Sequence, residues 1–145
     1  ATYFTIKRDF FDGELIMKGR ARIEERLKAL KAAPSLTAKD EGNIIILRIV
    51  LEMLARGLSF LPVEIGKSEA TAFVPENGKI RMPFNSLPGL GEGAADKLVE
   101  TRESHDIFSV EDLRLHSGVS KTVIEILRRN HVLDDLSETN QFSMF

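Results

Sequence analysis

The sequence predicts a mainly α-helical fold carrying a small β-hairpin element, and three observations carry that prediction. Apolar residues recur at helical spacing over residues 14–30 and again over 44–54. Between residues 59 and 82 the pattern breaks into short strand-like pieces around Pro75-Glu76-Asn77-Gly78. Two small-residue turns, Pro88-Gly89-Leu90-Gly91 and Gly118-Val119-Ser120, each stand directly before a further helical pattern.

Residues 1–12 mix apolar and charged side chains and end at Asp12-Gly13, a turn or helix-start signal. From Glu14 onward Ile16, Ile23, Leu27 and Leu30 fall near one stripe, with Arg20, Glu24, Glu25, Lys28 and Lys31 outside it. This predicts one amphipathic surface helix that stops before Pro34. Thr37 then offers an N-cap, with Asp40 three positions on. Residues 44–54 are apolar nearly all round, as in a central buried helix, and Gly57 suits the position just past its end. The β-branched run there would also suit a strand; length and a cap at each end favour the helix.

Residues 59–65 are short, contain Pro62, and read as an edge strand. Residues 70–74 and 79–82 read as a hairpin whose loop, Pro75-Glu76-Asn77-Gly78, is longer than the tightest type. A helix follows the glycine turn through about Arg102. After a connection at His105-Asp106-Ile107-Phe108, Ser109 caps another, with Asp112 at the capping-box position. Residues 121–129 form the last. The expected division is a helical region at 1–58, a small β element at 59–84, a helical pair of turns at 85–133, and a tail at 134–145.

The first turn carries the functional signal. Gly89 and Gly91 let the backbone bend tightly and leave their amides uncovered by side chains. A helix start has unpaired N–H groups and a partial positive charge, so such a turn suits one phosphate of a nucleic-acid backbone. Leu87-Pro88-Gly89-Leu90-Gly91, followed by three residues and Ala95, resembles the hairpin and second helix of a helix-hairpin-helix motif. Leu90 would plug the small core between the helices, and Ala95 falls where they approach closely. Gly118-Val119-Ser120 resembles a second, degenerate hairpin in which Ser120 replaces a glycine and doubles as an N-cap. The resemblance implies a tandem pair holding one phosphate on each strand of a duplex across the minor groove. Candidate backbone contacts are Gly89, Leu90, Gly91, Gly93 and Lys97 in the first unit, and Gly118, Val119, Ser120 and Lys121 in the second. A glycine-rich helix cap, and for the second unit a plain helix-packing turn, are the alternative readings.

At 145 residues the chain suits one ordinary domain, or two small ones sharing an interface. Without cysteine it has no disulfide framework and no thiolate chemistry, which fits a cytoplasmic protein. No apolar run approaches the roughly 18 residues of a membrane span; the nearest, 44–54, is interrupted by Arg48 and Glu52. The chain opens without Met or signal peptide, as expected of a piece of a longer protein. Residues 1–58 hold eleven bases against eight acids, whereas 87–131 hold six against eight. A grip on DNA there must come from amides and a few placed cations rather than a broad basic field. Such a piece alone should bind weakly, at about 10⁻⁴ to 10⁻⁶ M, and lose affinity as salt rises.

Past Val132 the sequence turns acidic and polar, as in a mobile spacer, and then ends Gln141-Phe142-Ser143-Met144-Phe145. Burying each such apolar side chain contributes roughly 1.5–3 kcal/mol, so a partner groove is the expected destination.

Together these pieces resemble the C-terminal end of the bacterial replicative DNA polymerase III α subunit of the PolC type. The residues that carry the resemblance are Met53-Leu54-Ala55-Arg56-Gly57-Leu58-Ser59-Phe60, Lys67-Ser68-Glu69-Ala70-Thr71-Ala72-Phe73 and Pro83-Phe84-Asn85-Ser86-Leu87-Pro88-Gly89-Leu90-Gly91. Gly118-Val119-Ser120-Lys121-Thr122 and Asn140-Gln141-Phe142-Ser143-Met144-Phe145 complete them, covering essentially the whole chain in order. The resemblance implies a helical end of the fingers, a duplex-binding tandem helix-hairpin-helix, and a peptide that docks in the hydrophobic pocket of the sliding clamp. Gln141, Met144 and Phe145 would be the docking side chains and Ser143 the small spacer. Duplex DNA, the clamp and the upstream polymerase domains are the implied partners, with no membrane.

Catalysis is not expected here. Two-metal phosphoryl transfer needs convergent carboxylates, yet the close acidic pairs Glu24-Glu25, Asp40-Glu41, Glu111-Asp112 and Asp134-Asp135 are adjacent, and neighbours on a helix point apart. His105, His116 and His131 have no coherent metal spacing. The resemblance places Mg²⁺ and its aspartates in a palm outside this chain, so this piece carries no cofactor and should be inactive alone. A helix-hairpin-helix subunit of a repair or recombination factor, and a helical interaction module that binds no DNA, are the competing functions.

Overall fold

The computed structural model describes residues 1–139. The chain opens with α1 (Thr2–Ile6) and a 3₁₀ turn at Arg8–Phe10, where the sequence pattern is indistinct. So short a helix is marginal alone; buried Phe4 and a bond from Phe73 N–H to Thr5 Oγ1 (2.9 Å) fix it. The single helix expected from Glu14 is two, α2 (Gly13–Met17) and α3 (Arg20–Ala32). Gly19 between them takes φ +98, a conformation that ends a helix and favours glycine.

Helix α4 (Ala38–Ala55) has both expected ends. Thr37 Oγ1 accepts from Asp40 N–H (3.1 Å) while Asp40 Oδ2 accepts from Thr37 N–H (3.2 Å), a full capping box. At the other end Leu58 N–H reaches Met53 O and Gly57 N–H reaches Leu54 O, the Schellman pair. The helix is not buried all round. Ile44, Ile46, Leu47 and Val50 face the core against α3, but Ile45 is 52 % exposed.

Three short strands form one sheet in the order β1-β3-β2: β1 (Phe60–Leu61) runs parallel to β3 (Lys79–Arg81), and β2 (Val74–Glu76) antiparallel to it. Glu76 pairs with Lys79, so the loop is only Asn77-Gly78, both at positive φ as a type I′ turn requires. This corrects the longer loop and the strand at 70–73. Pro75 lies within β2, whose edge position tolerates a missing N–H. Buried Arg81 donates to both oxygens of Glu76 (2.6 and 3.0 Å) and to Pro62 O, and that bond holds the Glu76 carboxyl below its ordinary range.

Phe4, Phe11, Phe60 and Phe73 meet with centroids 4.7 to 5.6 Å apart, mostly edge to face, tying the N-terminal turns to the sheet. This cluster is continuous with the apolar core of the C-terminal helices. After a 3₁₀ turn at Phe84–Ser86 come α5 (Glu92–Ser104), α6 (Val110–Ser117) and α7 (Lys121–Arg129). Ser109 Oγ caps α6 through Asp112 N–H (3.0 Å), and Asp112 Oδ2 accepts from Phe108 N–H (3.1 Å).

The stretch expected to leave as a spacer from Asp134 stays on the body through Glu138. Val110 N–H donates to Ser137 O (2.8 Å), Glu111 N–H to Glu138 O (3.1 Å), and Arg128 pairs with Glu138 (2.8 Å). The start of α6 has unpaired amides, and this strand-like segment satisfies two of them.

Helix α2 and the 3₁₀ turn at Phe84–Ser86 approach closely at Gly13. A Cβ there would stand 2.5 Å from Ser86 Oγ and 3.0 Å from Ser86 O. Gly13→Ala should cost about 1–3 kcal/mol by overpacking, read as a lower urea midpoint. Gly66→Ala, with open space around it, should stay within about 0.5 kcal/mol.

Candidate nucleic-acid interface

The two turns repeat one backbone plan. Gly89 (φ +86) and Gly118 (φ +70) are both left-handed, and the apolar residue after each, Leu90 or Val119, is buried. The next residue, Gly91 or Ser120, is the extended N-cap of α5 or α7. A side chain at Gly89 would also meet Ile126 Cδ1 at 3.0 Å, so the first turn rests against the helix of the second. Ala95 and Leu98 are wholly enclosed where the helices approach. Ahead of the first turn stands only the 3₁₀ turn at Phe84–Ser86, whereas α6 and α7 make a complete second unit.

Following each amide separates the two turns. Leu90 N–H donates to Leu87 O (3.1 Å) and Val119 N–H to Ser117 Oγ (3.3 Å). Both residues were expected among the backbone contacts; their N–H groups are engaged inside the molecule because their side chains are turned into the core. Helix α5 has no capping side chain. Gly91 and Gly93 are exposed, and their amides make no hydrogen bond within the described residues. At α7, Ser120 Oγ accepts from Val123 N–H (3.2 Å), closing one of the corresponding donors. The first turn therefore leaves more donors open among the described residues, the arrangement that suits an anion.

The cations also divide. Lys97 and Lys121 are exposed and form no ion pair among the described residues. Arg128 is held by Glu125 and Glu138 (2.8 Å each), and Arg129 by Glu14 on α2 (2.8 Å), whose carboxylate raises the guanidinium further above its ordinary range. Arg102 reaches Ile65 O and Ser68 O. Of Lys121, Arg128 and Arg129, Lys121 alone makes no ion pair among the described residues.

A cleft of about 680 Å³ opens between the first turn and the N-terminal helices, with Arg26, Lys39 and Asn43 opposite Gly89 and Gly91. Asp9, Asp12, Asp40 and Glu92 border it too, so its field is mixed. Asp12 and Asp40 are engaged as caps of α2 and α4. On its floor Asn85 Oδ1 is buried with no partner in the described structure.

Among the described residues no three histidine or carboxylate side chains gather as a metal site. Sequence spacing missed one pairing: His105 and His116, eleven positions apart, stack with centroids 4.2 Å apart because α6 folds back along α5. Gln141, Ser143, Met144 and Phe145, the expected clamp contacts, lie outside the described residues. No described helix is long and apolar enough to cross a membrane.

A family model described as a helix-hairpin-helix motif matches residues 57–142. Over 145 residues the chain is 45 % identical to the DNA polymerase III PolC-type of Thermotoga maritima, covering 100 % of this chain and 11 % of that protein. It is 46 % identical to the protein of that name from Clostridium perfringens, covering 99 % of this chain and 10 % of the relative. For Bacillus subtilis the identity is 40 %, covering 100 % and 10 %. The chain thus spans about a tenth of the length of the curated relatives it matches.

The difference between the N-caps has a thermal signature. Ser120→Ala should lower stability by about 1 kcal/mol, whereas Gly91→Ser should raise it by a few tenths, since serine caps slightly better than glycine. Melting temperatures of the two variants against the parent chain check both signs.

Proposed function

This chain belongs to the helix-hairpin-helix family, and from that premise we propose that it is the duplex-holding and clamp-docking segment of a replicative DNA polymerase of the PolC type. The observation that carries the reading is the open start of α5, where, among the described residues, Gly91 and Gly93 offer unpartnered amides about one turn from unpaired Lys97. One phosphate of a strand sits at these amides, and Lys97 neutralises charge beside it. The second turn, with Ser120 and Lys121, takes a phosphate of the other strand less firmly, because its serine already satisfies one donor.

Amides and lysines recognise phosphate oxygens and ignore base identity. A replicative polymerase must accept every sequence, so a grip of this kind holds the product duplex without stalling on particular bases. The modest charge of this region keeps the hold weak enough to slide. Residues 141–145 then add a second attachment, with Gln141, Met144 and Phe145 in a hydrophobic pocket of the sliding clamp and Ser143 as spacer. Two weak attachments on one chain raise the effective concentration at the primer end. Nucleotide addition belongs to a palm outside this chain, where carboxylates would hold Mg²⁺. The setting is the cytoplasm.

Gly91→Val should reduce affinity for a mixed-sequence duplex roughly tenfold or more, the scale of one lost charge-assisted contact, with helix content unchanged by circular dichroism. Lys97→Gln and Lys121→Gln should each flatten the slope of log K against log salt by about 0.9, equally for all sequences. Unchanged affinity in all three variants would defeat the duplex-holding role. Removing residues 141–145 should abolish clamp binding in a pull-down while duplex affinity stays the same.

A further inference from the structure

The geometry points to an anion subsite formed by His105, His116 and Lys97 that takes a further phosphate of the duplex and makes duplex affinity rise as pH falls. This rests on the reading that the start of α5 holds a phosphate, and extends that hold along the helix. Gly93, Lys97, Glu100 and Ser104 follow one another at spacings of four, three and four, so they share one stripe of α5. The stripe begins at the open amides and ends at a pocket of about 190 Å³ bordered by Lys97, Glu100, Ser104, His105 and His116. That volume suits a phosphate group and its water better than a base.

Both imidazoles are exposed, and neither makes a hydrogen bond or ion pair among the described residues. His131 differs, its Nδ1 lying 3.0 Å from Asp134 Oδ2. The ring nitrogens of the stacked pair are therefore available to a ligand. The rings lie 4.2 Å apart and 20° from parallel, so two positive charges on them would repel strongly. A positive charge on either ring would lie over the π face of the other. From α5, Lys97 repels that added charge and Glu100 attracts it; Asp106 follows His105 in the connection, and from α6 the only facing titratable group is His116 itself.

A phosphate seated between Lys97 and the rings favours the imidazolium, which offers N–H donors and a charge together. Phosphate binding and protonation of a ring would thereby be linked. By linkage, affinity is greatest below the imidazole range and declines as pH rises through it.

The test is titration of the chain with a short blunt mixed-sequence duplex at fixed ionic strength, with EDTA present so that no metal bridges the rings. From about pH 8 to about pH 6 affinity should rise three- to tenfold, and the salt slope should steepen by about 0.9. In His105→Gln/His116→Gln that rise should vanish, while His131→Gln should retain it. A full rise in the double variant overturns the subsite; if Gly91→Val still weakens binding, the hold at the start of α5 survives that failure. No effect of Gly91→Val would remove the hold itself, and the subsite with it.

Discussion

At Gly89 the backbone turns left-handed against α7, and a Cβ there would stand 3.0 Å from Ile126 Cδ1, too close to enter without displacing it. That contact lets Leu90 swing inward as the plug of the C-terminal core and leaves Gly91 to begin α5 uncapped on the outside. A Cβ at position 89 would meet left-handed strain of about 1 kcal/mol or more and a steric one as well. The exposure of the amides at Gly91 and Gly93 therefore depends on packing one residue away. Open amides and core formation are here two sides of the same turn.

The pair of turns is symmetric in backbone and asymmetric in chemistry. Gly118 and Val119 reproduce Gly89 and Leu90, but Ser120 turns its hydroxyl onto Val123 N–H. The nearby arginines add to the asymmetry, since Arg128 and Arg129 are neutralised by Glu138 and Glu14. Arg129 instead links α7 to α2, and with the approach of Gly13 to Ser86 it braces the turns against the N-terminal helices. In the second unit these groups serve cohesion with the rest of the fold.

What could be read from the sequence was local. Thr37, Asp40 and Gly57 announce both ends of α4 because a cap is made by residues within a few positions. Leu90 and Ala95 were placed correctly as buried because the turn fixes which way each one faces. The break at Gly19 was hidden, since Ile16 and Ile23 stay seven positions apart and are both buried on either side of it. Asn77-Gly78 carries the strongest short hairpin signal, yet Pro75 drew the loop wider, because an edge strand tolerates a proline that a central one would reject. Glu138 and Glu14, which engage Arg128 and Arg129, and His116, which stacks on His105, lie ten or more positions away, and no periodicity reports them.

The parallel bridge between Ser109 and Ser137 sets a leash. Only three peptide units separate Glu138 from Gln141, a reach of about 10 Å at full extension, against about 27 Å had the chain swung free from Leu133. The leash thus starts at the first turn of α6, where two amides hold Ser137 and Glu138, and not at the end of α7.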